Sequence, residues 1–117
     1  MTHLSEEAFA RDYGFPWLND RFPSSTIEKQ KYVPDPRGFV DAWVSIPAPE
    51  DPALIAAVEI GNDESVRDEC AQAIEYASHD DRAIPYVIIP ANHASHDAVS
   101  IFRDRGVVII ELPTATE

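Results

Sequence analysis

The segment Leu54-Ile55-Ala56-Ala57-Val58-Glu59-Ile60 constrains the fold more than any other stretch of the chain. All but one of its residues are apolar, so the two-residue period of a strand leaves apolar side chains on both faces. Such a strand is stable only with both faces covered, which calls for helices on either side of a sheet. Residues 84–90 and 107–112 read the same way. Between these strands, residues 64–78 place Val66, Cys70, Ala73, Ile74 and Ala77 on one helical stripe. Residues 95–105 form a second short helix in this reading, with Val99, Ile101 and Phe102 inward. Upstream, residues 26–33 and 39–46 alternate as strands around the turn Pro34-Asp35-Pro36-Arg37-Gly38, and the prolines of 47–52 make another turn. Residues 5–11 are a short opening helix stopped by Gly14 and Pro16. Tyr13, Phe15, Trp17, Leu18 and Phe22 then make 12–25 an irregular segment packed on the domain. The predicted order is α-β-β-β-α-β-α-β. It is an α/β class protein, with a mixed central sheet whose antiparallel meander precedes helix-linked parallel strands.

The 117 residues fit a single domain, 1–117, with a core of about 5–112 and a frayed tail at 113–117. No apolar run reaches the ~20 residues of a membrane span, and residues 1–15 lack a signal peptide's apolar stretch, so a cytoplasmic protein without a membrane partner is expected. A lone cysteine, Cys70, excludes an internal disulfide framework and a Cys-rich zinc site. The charge is -12, from 21 acidic and 9 basic residues, and the only lysines are Lys29 and Lys31. That balance argues against nucleic acid, whose phosphates need Lys and Arg. The preferred alternative is a salt-rich cytoplasm, where a carboxylate surface keeps a protein hydrated and its self-repulsion is screened.

Two acids do not fit a solubility role. Alternation puts Phe39, Asp41, Trp43 and Ser45 on one face of their strand, opposite Val40, Ala42, Val44 and Ile46. Glu59 shares a face with Ile55 and Ala57. Asp41 and Glu59 are thus single carboxylates inside apolar strands, and a carboxylate deprived of water must pair, bind a metal or shift its pKa. On neighbouring strands the two would share a hard cation, with the carbonyl of Ile60 completing an oxygen cradle. Gln72 and Tyr76, four residues apart on the next helix, lie on one face that a docked helix would aim at the same site.

The pattern Asp41, then Glu59-Ile60-Gly61 on the next strand, then Gln72-Ala73-Ile74-Glu75-Tyr76 on the following helix resembles the PD-(D/E)xK nucleases. The resemblance covers about residues 5–90. It implies a restriction-endonuclease-like α-β-β-β-α-β core with an added C-terminal α-β. The Q-x-x-x-Y helix is similar to that of a subgroup containing recombination and CRISPR-associated exonucleases. In the family the two acids bind magnesium or manganese, which polarises the scissile phosphate and supplies hydroxide. Carried over, Asp41 and Glu59 become metal ligands, Gln72 and Tyr76 position substrate, and DNA is the partner. A chain this small is expected to act as a homodimer or with a larger protein. The family lysine two residues beyond the second acid is here Gly61. Arg67, Lys29 or Lys31 are the candidate replacements, with both lysines on one strand face. Gly61-Asn62 would otherwise admit a close ligand. The alternative is a catalytically inactive module of the same fold, used for binding and assembly, with Trp17 or Trp43 as interface anchors.

Blander roles stand beside these. Asp41 can bond the 34–38 turn or pair with Arg37, and Glu59 can cap the helix beginning near Glu64. Gln72 and Tyr76 can be ordinary boundary residues. Glu7 is either a further ligand or a complement to a helix N-terminus. His93 and His96, with Asp97, have a spacing that allows two metal ligands but lack a third. Cys70 is read as an inert core thiol. Neither a Ser-His-Asp arrangement nor a glycine-rich phosphate loop emerges.

Overall fold

A computed structural model describes residues 5–34, 37–46, 54–61, 66–91 and 96–113. Strands β1 (Thr26–Pro34), β2 (Arg37–Ile46), β3 (Leu54–Ile60), β4 (Ala83–Pro90) and β5 (Val108–Leu112) form one sheet in chain order. The first three are antiparallel neighbours, and β3, β4 and β5 run parallel. Helices α3 (Val66–Ala77) and α4 (His96–Asp104) make the crossovers. Crossovers have one favoured hand, so two made in the same direction put both helices on one face. There Cys70 and Ala73 of α3 meet Val87 and Ile89 of β4 and Phe102 of α4. On the other face Phe9 and Leu18 of the N-terminal helices pack on Ala42, Val44, Ala56 and Val58. The result is an α/β protein with a five-stranded mixed sheet flanked by helices. Strand β3 is buried on both sides, as its composition demands: Ala56, Val58 and Ile60 face the N-terminal helices, and Ile55 and Ala57 face the α3 side. Each fully buried Val or Ile contributes about 1.5–3 kcal/mol. Among the described residues no helix is long and apolar enough to cross a membrane.

The expected irregular segment at 12–25 is instead mostly helical. Helix α1 (Glu6–Phe9) runs into a π-helical turn (Ala10–Gly14) and then α2 (Phe15–Arg21). Gly14 and Pro16 do not stop the chain there. Pro16 falls in the first turn of α2, where a missing N–H costs little, and the wider π turn accommodates the junction. Gly14 packs against Ile60: a β-carbon on it would come within 2.9 Å of the Ile60 Cγ2.

A second correction sits in the β1–β2 arm. Its ladder pairs Lys29 with Ala42 and Lys31 with Val40 but skips Gln30 and Asp41, and Gln30 has φ +53°. Left-handed backbone in a strand reverses the alternation of side chains. Ile27 therefore packs with the N-terminal helices while Val33 joins Trp43 on the α3 side. Likewise Val40 groups with Trp43 and not with Ala42, and Phe39 is 58% exposed beside Tyr32. Lys29 and Lys31 are consequently split between the two faces. The Lys29 Nζ lies 4.4 Å from the Phe15 ring centre of α2, and the Lys31 Nζ lies 5.7 Å from that of Trp43. Trp43 is buried and Trp17 half-buried against Phe22, so neither is an exposed anchor.

The turn at 47–52, Asn62, Glu64, His93 and the side chains of Arg37 and His96 lie outside the described residues.

Candidate metal centre and cleft

Asp41 and Glu59 occupy the register position just beyond the last β2–β3 pair, Ala42 with Val58. Where that backbone ladder ends, side chains take over its donors. The Ile60 N–H donates to Asp41 Oδ2 at 2.8 Å, and the Asp41 N–H reaches Glu59 Oε2 at 3.4 Å. The Gln30 amide donates to Asp41 Oδ1 at 3.3 Å, so the left-handed residue of β1 also orients the first acid. Glu59 is only 4% exposed and is the one buried charged residue among those described. Ile60, expected to lend its carbonyl, is shown here donating its N–H to a ligand candidate.

A third carboxylate, which the sequence reading missed, joins this pair. Oxygens of Asp41, Glu59 and Glu69 lie within 4.8 Å of one another. Glu69 comes from the first turn of α3. It fills the space above Gly61: a β-carbon there would stand 2.6 Å from both the Glu69 Cδ and Oε2. No side chain, least of all a lysine, fits at Gly61 without displacing that carboxylate. A readable signal existed, because Glu69, Gln72 and Tyr76 are spaced at three and seven residues and share one helix face. Gln72 is exposed on that face, and Tyr76 is half-buried. Gly38 leaves room for the Tyr76 hydroxyl, which would overlap a β-carbon at that position. Burial first, and then the charges of Glu59 and Asp41, push the Tyr76 phenol above its ordinary pKa. It is therefore a firm O–H donor at neutral pH. Arg67 is exposed two residues from Glu69, about 200° around α3 by helical geometry.

The three carboxylates suit a hard divalent cation. Oxygen ligands at about 2.0–2.6 Å from a shared ion stand at most about 5 Å apart, which the observed spacing satisfies. The oxygens of the three carboxylates come from three elements and converge on one point, the donor set a hard cation takes.

On the N-terminal side, Asp41 opens onto a cleft of about 440 Å³ lined by Glu7, Ala10, Arg11, Phe15, Lys29, Gln30, Asp41 and Ile60. Glu7 and Lys29 thus share a wall with the first acid, while Lys31 does not line this cleft. Arg11 is exposed and forms a two-point pair with Asp12, at 2.9 and 3.1 Å. Cys70 is buried, and desolvation pushes its thiol up to about 11, which leaves it unreactive. Asp97 is exposed on α4. Comparisons with protein-family models, curated proteins and solved structures returned no match.

Proposed function

We propose that this protein is a metal-dependent DNA phosphodiesterase of the PD-(D/E)xK type, adapted to a salt-rich cytoplasm, in which a third carboxylate stands where the family carries lysine. The observation that carries the reading is the convergence of Asp41, Glu59 and Glu69 from two adjacent strands and the following helix. The element order α-β-β-β-α-β supports the restriction-endonuclease-like core, as does the position of Tyr76 on the helix that carries Glu69, near enough to both strand acids for their charges to act on its phenol.

Asp41, Glu59 and Glu69 would hold magnesium or manganese. A cation so held polarises a phosphodiester and activates water for attack. The chain's own groups do the rest. Gln30 and the Ile60 N–H fix the Asp41 carboxylate before any ligand arrives, which is preorganisation. Tyr76, kept protonated, donates to a phosphate oxygen, and Gln72 one turn earlier extends that polar edge. Three carboxylates against one divalent cation leave a net negative charge, and Lys29 across the cleft offsets it for an anionic substrate.

The test is cleavage of single-stranded and plasmid DNA with magnesium or manganese at molar salt. Loss of cleavage in Asp41→Ala and Glu59→Ala supports the reading, and unchanged cleavage in both overturns it. The occupation of the lysine space by Glu69 favours one second reading, an inactive metal-binding module. Manganese binding without cleavage of any DNA would select it.

A further inference from the structure

We propose that the cleft between the N-terminal helical segment and the sheet is a subsite for a single phosphate-bearing nucleotide of a single strand, with Lys29 as its phosphate-holding cation. This rests on the phosphodiesterase reading and names its substrate class. The cleft measures about 440 Å³, the size of a small-molecule pocket. A duplex, whose major groove alone is about 12 Å wide, does not enter it. Its wall is mixed in the way a nucleotide needs. Ala10, Phe15 and Ile60 are apolar, Gln30 supplies an amide, Lys29 and Arg11 are cationic, and the carboxylates Glu7 and Asp41 complete the wall, Asp41 on the side of the metal centre.

Among the described residues that line the cleft, Lys29 is the cation available for this work. Arg11 is already committed to Asp12 through two hydrogen bonds. Lys29 is held by the face of Phe15 at 4.4 Å, a contact that orients an ammonium without consuming its hydrogen-bond donors. It reaches the cleft by ordinary alternation from Ile27, and left-handed Gln30 after it turns Lys31 to the opposite face. The same Gln30 lines the cleft beside Lys29 and bonds Asp41, so it ties the first acid to the wall that carries the lysine. In a chain of charge -12, phosphate has no general attraction to the surface, and a local cation must supply it.

The experiment is fluorescence anisotropy with 5′-phosphorylated, 3′-fluorescein-labelled octathymidine, in calcium and again in EDTA, beside a blunt duplex of the same length. Wild-type protein should bind the single strand about tenfold or more tighter than the duplex. Lys29→Ala should weaken single-strand binding about tenfold, the value of a charged phosphate contact, and Lys29→Arg should restore it. Lys29→Ala should also flatten the salt dependence of log K by about 0.7, one phosphate's share. Lys29 is exposed, so its variants should fold; matching circular dichroism verifies this. Equal binding by Lys29→Ala, equal binding of duplex, or no binding of the octamer each overturns the proposal. Lys29-dependent binding by a protein that cleaves nothing refutes the phosphodiesterase reading alone. Metal-dependent cleavage indifferent to Lys29 refutes the subsite alone.

Discussion

Glu69 stands over Gly61 so closely that a β-carbon on the glycine would lie 2.6 Å from the carboxyl carbon. Gly61→Ala must therefore push Glu69 away or shift β3 against α3. The expected cost is about 1–3 kcal/mol, the range for overpacking a fitted site. In a Glu69→Ala background the same substitution should cost little. Urea denaturation of the four proteins in this cycle measures the coupling, expected at about 1 kcal/mol or more. A coupling near zero would mean that the two residues do not compete for space.

Carboxylates that share a cation when loaded repel one another when bare. Glu69→Gln should raise the melting temperature in EDTA, because one charge of the Asp41–Glu59–Glu69 cluster is removed. The same variant should lose the further rise that manganese gives the wild type, worth about 2.7 kcal/mol at a hundredfold excess over Kd. Paired thermal scans with and without manganese read both effects, whose opposite signs separate a binding site from a merely structural cluster.

Gln30 ties the arm to the site. A β-branched residue resists its φ of +53°, so Gln30→Val should cost about 1–2 kcal/mol. It should also lower manganese affinity, since Asp41 loses its amide donor. Gln30→Gly keeps the backbone at least as stable and still loses the amide. Reduced affinity in both, with stability reduced only in the valine variant, is the outcome expected from urea melts and metal titration.

Asp80 supplies an acid-side signature away from the centre. Its carboxylate takes two hydrogen bonds from the Arg82 guanidinium, at 2.9 and 2.8 Å, and one from the Arg82 N–H at 2.9 Å. These hold its pKa well below the usual carboxylate range. A depressed folded-state pKa stabilises the fold above the unfolded value, about 3.9, and that contribution is lost as pH falls through the folded value. Wild type should exceed Asp80→Asn in stability at pH 7, and the gap should narrow below about pH 4. A gap unchanged at pH 2.5 would contradict the assignment.

Much of the scaffold was legible in the chain. Apolar runs and one clear helical stripe named β3, α3, β4 and β5 nearly to the residue, because these elements lie in the interior and burial writes itself into composition. The opening helix is legible, but its continuation through the π turn and α2 is hidden because Gly14 and Pro16 are locally breakers. Only packing on Ile60 and the placement of Pro16 in a first turn make them tolerable.

The candidate site divides along the same line. Sequence alone singled out Asp41 and Glu59, because a lone carboxylate in an apolar strand is costly wherever the strand goes. It also made Gln72 and Tyr76 neighbours on one helix face, a relation set by local periodicity. Tertiary structure decided what stands beside Gly61. Glu69 reaches that space by the docking of α3 on the sheet, over a separation of eight residues that no local period links. It also sent Lys29 and Lys31 to opposite faces, through one left-handed residue whose side chain carries no signal for that backbone. Alternation is a property of regular strands, and function here gathers where regularity breaks.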